Sequence, residues 1–545
     1  MALSKRDREF RLNRISYLEF AYTDMDRVLI AFFARLWHGG HPSRLSRNFV
    51  LNVDEFVKHV LEHPDLFKGF QAHPDILRRW MTTHLMDLVN RGEPKEALAS
   101  PRPLHGFTYR LRNPKHSRDY GTSQQIYEML YHAKGGADAL EQLKKFFFPN
   151  IDPVTQQPTT EEVDVETQAL LHLPLTISDA ANKTQRGEQY PPICLKSAEL
   201  LSDDIKRLLF YQNFIPRSVM VEYLKILCAF HLSLYQCRLL KLLPEMTKRQ
   251  GSLAWGDRPY PVGILVDAAN RSDTPMASLA EHSADIHYRR ISPFIKAYFT
   301  IRKLEEFGEH LVKIGKLGKA VLTSFSVADV AALQNSIYQT EREPFFRQRL
   351  AGVLEDSAGK GEELDPEIQA ILGMDLTPFE TYIEILVAIR GPFHRKYITQ
   401  TIESLMLKNK PGALLTQART RNAPRRFVLD SRLLEVLLQI AVLKQGGHLG
   451  FYSASMRIDE LSNYLRDRYG LYINQLPTED GFGTASILER QALKENRQAF
   501  TDRLREVGFY RDLSDAYVTQ TVKPRYEIAQ ETVQNVVQNV ASTKP

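Results

Sequence analysis

The residues best suited to chemistry lie in the stretch LVDAANRSDTPMASLAEHSADIHYRR. Its ionisable side chains of interest are Asp267, Asp273, Glu281, His282, Asp285 and His287. Carboxylates at the end of a predicted strand, with histidines nearby, could hold a divalent metal for phosphodiester cleavage. The alternative is a loop with helix-capping Asp residues and a helix with a polar face. The spacing matches no nuclease signature, so a metal-dependent nuclease is one hypothesis among several.

Other catalytic signatures are missing from the sequence. It contains no G-x-x-x-x-G-K-[ST] phosphate loop, no G-x-S-x-G nucleophile elbow and no H-E-x-x-H zinc helix. Its three cysteines include no C-x-x-C pair, and few cysteines fit a reducing cytoplasm. These observations favour a protein that is not an enzyme and needs no cofactor.

A second set of residues could bind nucleic acid. Its members are Arg490, Lys494, Arg497 and Arg505 on a predicted helix, Arg511, Lys523 and Arg525 on the following hairpin, and Arg419, Arg421, Arg425 and Arg426 in the segment before the domain. At about 100° per residue, the four helical cations fall on one side. Glu495, Asp502 and Glu506 fall together elsewhere. Such a basic side is either a phosphate-binding surface or an ordinary solvated face.

Three helices and a hairpin must position this basic side. DSRLLEVLLQIAVLKQGG is predicted to be helical up to Gly446, MRIDELSNYLRDRYGL up to Gly470, and SILERQALKENRQAFTDRLREVG up to Gly508. The β-branched and aromatic residues that follow, 509–528, predict a hairpin with its turn at Ser514–Asp515. This order is that of a winged helix. In DNA-binding versions the third helix enters the major groove, but other winged helices dock on proteins.

The whole chain is predicted to be mainly α, with a multi-helix scaffold before the winged helix. The predicted units are an N-terminal helical domain (1–100), a loop-rich connector with short helices (101–194), a helical core domain (195–408) with a short strand at 262–266, a basic linker (409–429), the winged helix (430–528) and a low-complexity tail (529–545). A length of 545 residues suits several domains.

Composition places the chain among soluble proteins. Apolar residues make up 43%, charged residues 25%, and the net charge is +6. The most apolar stretch, 219–244, is interrupted by charged residues, so it predicts a helix buried in a core, ended by Pro244, instead of a membrane span. The charged N-terminus lacks the apolar segment of a signal peptide. We therefore expect a cytoplasmic protein without membrane contact.

Two segments near the C-terminus carry a family resemblance. RIDELSNYLRDRYGLYINQLP together with RLREVGFYRDLSDAYVTQTVKPRY resembles the C-terminal region of accessory components of methylation-associated defence systems in bacterial phage-defence islands. Those components are similar to accessory restriction proteins of phosphorothioation systems. The resemblance lies mainly in the C-terminal region, and it implies partners such as separately encoded methylase, ATPase or nuclease subunits. It transfers no catalytic residue.

Three functions remain open on the sequence alone. The preferred hypothesis is a non-enzymatic scaffold or DNA-associated subunit of a multi-protein bacterial anti-phage system, whose winged helix contacts double-stranded DNA, a partner protein, or both. The alternatives are a metal-dependent nuclease subunit centred on residues 267–287 and a docking subunit with no nucleic-acid contact.

Overall fold

A computed structural model describes most of the chain. The described residues are 3–45, 52–64, 70–149, 166–167, 169–171, 177–184, 186–251, 262–358, 365–418, 420, 423–446, 450–510 and 521–529. Within them the protein is mainly helical, with few and short strands. This confirms the mainly α class.

The N-terminal part combines helices with two small antiparallel ladders. Its elements are α1 (Met25–Trp37), β1 (Ser43–Leu45), α2 (Val53–Glu62), α3 (Pro74–Trp80), a π-turn (Met81–Leu85), β2 (Met86–Val89), β3 (Ala97–Pro101), a 3₁₀ helix (Gly106–Leu111), α4 (Thr122–His132), α5 (Gly136–Phe147) and β4 (Asp179–Ala181). Strand β1 pairs with β4, and β2 pairs with β3. Asn52 caps α2 by accepting the Glu55 N–H.

The central part is helical throughout its described residues, apart from one two-residue strand. Its elements are α6 (Leu195–Leu209), α7 (Arg217–Lys248), β5 (Ile264–Leu265), α8 (Pro275–Arg289), α9 (Ile291–Lys313), α10 (Lys319–Ser324), α11 (Val327–Ala332), a 3₁₀ turn (Ser336–Tyr338), α12 (Gln339–Ala358), α13 (Pro366–Leu372) and α14 (Pro378–Met406). Strand β5 lies within the stretch predicted to be extended, because its β-branched and apolar residues are buried on both sides.

Helix α7 is the central helix of the core. Among the described residues it is the one helix long and apolar enough to cross a membrane, and nearly all of its most apolar window is buried inside the protein. Its charged residues make membrane insertion costly, and neighbouring helices cover its surface. The prediction that Pro244 ends this helix is wrong. The helix continues to Lys248, since a proline removes only one backbone donor and Met246 in the last turn is buried in the core.

The C-terminal part mixes helices with short strands. Its elements are β6 (Leu415–Gln417), β7 (Arg425–Phe427), α15 (Ser431–Ala441), β8 (Leu443–Gln445), β9 (Phe451–Ser453), β10 (Met456–Arg457), α16 (Ile458–Tyr469), β11 (Leu471–Tyr472), a 3₁₀ turn (Thr478–Asp480), α17 (Ile487–Glu506) and β12 (Thr521–Val522). Residues 430–528 are called the C-terminal module below.

The first helix of the module is shorter than predicted. Helix α15 ends at Ala441, and the next residues form β8, which pairs antiparallel with β9. Gly446 and Gly450 at the turn have positive φ angles of 135° and 86°, which favour glycine. A local hairpin therefore takes residues that helical periodicity alone assigned to the helix.

Two strand pairings join distant parts of the module and the body. Strand β10 pairs antiparallel with β12, and Tyr510 bridges to Val522, whereas the predicted turn at 514–515 lies outside the described residues, as do residues 530–545 of the tail. Strand β11 pairs in parallel with β5 of the central part. The largest apolar cluster runs from Leu3 to Ile528, so the module shares its core with the body.

Candidate nucleic-acid interface

Helix α17 has one face fixed against the protein and one face towards solvent. The Ser486 side chain caps its start by accepting the Glu489 N–H, and the Glu489 carboxylate accepts the Ser486 N–H at 2.7 Å. The side chains of Leu493, Phe500 and Leu504 are buried. Because these residues recur at helical spacing, the opposite side of α17 is left for external contacts.

Asn496 fixes the position of α17 on its buried face. Its side-chain amide donates to the carbonyl oxygens of Val266 at 2.9 Å and Ile473 at 2.8 Å, and its oxygen accepts the Ala268 N–H at 2.8 Å. One buried side chain thus satisfies backbone groups at the ends of both β5 and β11. The helix is held to the strand pair that joins module and body.

Asp480 forms a second connection between the module and the body. Its carboxylate accepts hydrogen bonds from Lys241 Nζ at 2.8 Å, from Arg290 and from the Gly263 N–H. Burial alone would raise the pKa of Asp480, but Lys241 and Arg290 outweigh it and lower that pKa below its ordinary value. The carboxylate therefore stays charged and holds helix α7 and the start of α9 to the turn before α17.

Asp204 on α6 is the third connection and is fully buried. It accepts from His231 Nε2 at 2.9 Å, from the Tyr469 hydroxyl at 2.9 Å and from Arg468 Nε at 3.1 Å. Burial acts to raise its pKa, yet Arg468 and His231 bring the pKa below its usual value. Since Arg468 and Tyr469 end α16, this ionic cluster ties the middle helix of the module to α6 and α7.

The helical cations predicted to bind nucleic acid do lie on the outer side of α17. Arg490, Lys494, Arg497 and Arg505 are all exposed. Arg497 pairs with Asp459 at 2.6 Å, and Arg505 pairs with Asp502. Within the described residues, Arg490 and Lys494 have no carboxylate at ion-pair distance. The exposed pairs contribute little free energy, so a phosphate could replace either carboxylate.

The hairpin and linker cations have different environments. Lys523 is exposed, while Arg525 pairs with Glu435 and stacks over the Phe509 ring. Arg425 pairs with Glu403 and lies over Tyr288. Arg426 is buried, with its Nε 3.2 Å from Asp267 Oδ2. The remaining predicted cations, Arg419, Arg421 and Arg511, lie outside the described residues. Among the described cations of this set, Arg426 is therefore the one that is not available at the surface.

Two apolar side chains stand at the start of α17. Ile487 is 84% exposed and Leu488 is 79% exposed. Sequence periodicity gave no signal for them, because they precede the buried stripe and occupy the first turn. Exposed apolar pairs of this kind mark contact sites more often than isolated apolar residues do.

The predicted metal-binding residues make separate contacts. Asp267 is buried against Arg426 and accepts the Asn270 N–H at 2.9 Å, and burial raises its pKa. His287 Nε2 donates to the Gly263 carbonyl at 3.1 Å, and burial and Arg290 lower its pKa to about 4. Asp285 pairs with Arg289.

The two other candidates of this cluster, Asp273 and His282, are exposed. Thr274, not Asp273, caps α8. Across the described residues, no group of three or more His, Cys, Asp or Glu side chains is arranged to hold a metal ion. The nuclease hypothesis stays a prediction, and plasmid cleavage with Mg²⁺ or Mn²⁺ that is lost in Asp267→Ala would establish it.

Comparison with known proteins identifies the family of the chain. The sequence matches the family model described as "Methylation-associated defense system protein MAD7" over residues 5–526. No curated protein and no solved structure matches the chain. The match extends through the N-terminal and central helices as well as the C-terminal module, so the resemblance seen at residues 457–526 is only part of it. The chain belongs to the MAD7 family of methylation-associated defense system proteins.

Proposed function

We propose that this protein is a non-enzymatic, cytoplasmic subunit of a methylation-associated defence assembly, and that the outer side of α17 contacts duplex DNA. Membership in the family supports a role beside other proteins of the same system. Methylase, ATPase or nuclease subunits are the partners we expect. The helical body serves as the scaffold that holds α17 in place.

A winged helix is the arrangement we propose for the module. The chain order of α15, β10, α16 and α17, followed by Tyr510 and β12, supports it. The pairing of β10 with β12, and of Tyr510 with Val522, supports a small sheet beside the three helices. In this arrangement α17 takes the place of the helix that enters the major groove.

The observation that carries the DNA proposal is the exposed pair Arg490 and Lys494. They lie one turn apart on the solvent side of a helix whose other side is locked to the body, and neither has an acidic partner among the described residues. Arginine and lysine in such a position can contact phosphates or guanine edges. Gln491 and Gln498 are also exposed, but their amides donate to Glu495 and Asp502, so the two cations carry the proposal.

Replacing Arg490, Lys494 and Arg497 with alanine is expected to weaken duplex binding by at least about tenfold at low salt. Each lost phosphate contact makes the negative slope of log affinity against log salt shallower by about 0.9, so the three substitutions should make it shallower by about 2.7. The measurement is a gel shift of the full-length protein with duplex DNA at two salt concentrations. The full chain is required because the module shares its core with the body.

A matched control removes the same number of exposed cations elsewhere. Lys134, Lys248 and Arg249 are exposed residues outside the module, and their replacement with alanine should leave the slope almost unchanged. Equal loss in both triple variants would indicate non-specific attraction to a basic protein. No binding by the unaltered protein at low salt would eliminate the DNA proposal.

A second candidate function is favoured by Ile487 and Leu488. Their exposed side chains suit an apolar protein surface better than a phosphate backbone. If α17 docks on a partner, Ile487→Ser with Leu488→Ser should abolish co-purification with the other proteins of the system while the fold stays intact. Retained complex together with lost duplex binding would instead assign these side chains to the DNA contact.

A further inference from the structure

Helix α14 carries a basic stretch that none of the proposals above uses. From Ile385 to Ile402 the sequence has no Asp or Glu, whereas Arg390, Arg395 and Lys396 all lie there. Arg395 and Lys396 are exposed and Arg390 is partly exposed. Within the described residues, none of these three cations has a carboxylate at ion-pair distance. The middle of α14 therefore presents unneutralised positive charge.

Two aromatic rings lie between Arg390 and Lys396. Phe393 is 46% exposed, and its ring centroid lies 4.7 Å from that of Tyr397 at an interplanar angle of 52°. The Arg390 guanidinium carbon is 4.2 Å from the Phe393 centroid, and Lys396 Nζ is 5.8 Å from the Tyr397 centroid. Cation, ring, ring and cation thus form a continuous array, called the α14 array below.

The opposite side of α14 fixes this array in place. His394 stacks on Phe10 with centroids 3.9 Å apart, and Ile398 is buried. With that side packed into the core, Phe393 and Lys396 must face away from it. An exposed phenylalanine gains nothing from water, and its position between cations on a fixed helix makes it a platform that a flat ligand can cover.

We propose that the α14 array binds single-stranded DNA, with bases stacked on Phe393 and Tyr397 and phosphates held by Arg390 and Lys396. Aromatic side chains between cations are the general means of binding unpaired strands without sequence preference. A duplex hides the faces of its bases within its own stack, so the rings favour an unpaired strand. The choice of DNA over RNA rests on the proposed function, while the stacking array does not.

The test is fluorescence anisotropy of a labelled oligothymidylate with the full-length protein. Phe393→Ala is expected to weaken binding at least about fivefold, because stacking on one base is lost. Lys396→Glu should weaken it at least about fivefold and flatten the salt dependence, whose slope for two phosphates is about −1.4. Both changes are on the surface, so thermal unfolding should stay within a few degrees of the unaltered protein.

Controls separate this proposal from the α17 proposal. Lys248→Glu reverses the same charge at an exposed site elsewhere and should leave oligothymidylate binding unchanged. The Arg490, Lys494 and Arg497 alanine variant should lose duplex binding and keep oligothymidylate binding. Unchanged affinity in Phe393→Ala would overturn the stacking role, and tighter binding of oligouridylate than oligothymidylate would overturn the assignment to DNA.

Discussion

Replacing Asp204 with alanine is expected to lower the free energy of unfolding by about 3–5 kcal/mol. The carboxylate is fully buried and accepts hydrogen bonds from His231, Arg468 and Tyr469. Without it, the Arg468 guanidinium stays largely enclosed with fewer partners, and the His231 and Tyr469 donors lose their acceptor. Urea or guanidinium unfolding followed by circular dichroism measures this loss.

Two further variants sharpen the interpretation of the Asp204 result. Asp204→Asn keeps the shape and part of the hydrogen bonding, so a smaller loss is expected. Asp203→Ala removes a neighbouring, partly exposed carboxylate that also pairs with Arg468 at 2.6 Å, and about 1 kcal/mol is expected because solvent screens it. If Asp204→Ala costs no more than Asp203→Ala, the buried cluster does not hold the module to the body.

Lowering the pH from 7 to 5 is expected to reduce the free energy of unfolding by about 3–4 kcal/mol through two buried histidines. Burial and then Arg217 lower the pKa of His105 to about 3, and burial and then Arg390 lower the pKa of His394 to about 4. In the unfolded chain both should titrate near the ordinary value of about 6.5. The unfolded state then binds more protons below that pH, so stability falls as the pH decreases.

Variants that cannot titrate test this assignment. His394→Phe preserves the ring stacked on Phe10, and His105→Asn preserves an acceptor for the Phe107 N–H that His105 Nδ1 now accepts at 3.2 Å. The double variant should lose about 3–4 kcal/mol of the decline between pH 7 and 5, while buried His287, whose pKa is also lowered, keeps its own share. An equally steep decline in the double variant would show that other groups cause it. The loss from Asp204, whose folded pKa is depressed, belongs to a separate window below about pH 4.

Local sequence signals predicted the helices that carry the candidate interface. Gly470 ends α16 as predicted, in the left-handed conformation at a φ of 75°. The cations predicted to share one side of α17 are exposed there. These features depend on residues within a few positions of one another, which is why periodicity and capping rules identify them.

Contacts between residues far apart in the chain could not be predicted from the sequence. Arg468 meets Asp204 across 264 positions, and Lys241 meets Asp480 across 239. Nothing in the local pattern of either member indicates its partner. For the same reason, the sequence placed Arg426 in an exposed basic linker, whereas it is buried against Asp267. The pairing of strand β5 with β11 also could not be predicted from local pattern.

These long-range contacts fix the orientation of the basic helix α17 on the body. A free module would allow α17 to move, whereas Asn496, Asp480 and Asp204 hold it to the body at three separate places. The body therefore determines which side of α17 is available. A partner or a duplex that meets α17 would therefore be oriented relative to the entire helical body.

The most direct measurement is photo-crosslinking of the full-length protein to a duplex with bromouracil in place of thymine, followed by mass spectrometry of the linked peptides. If α17 contacts duplex DNA, we expect adducts concentrated on peptides that contain residues 487–501, and their loss in the Arg490, Lys494 and Arg497 alanine variant. Adducts confined to peptides outside the C-terminal module, or adducts unchanged in that variant, would contradict the proposal that α17 contacts DNA.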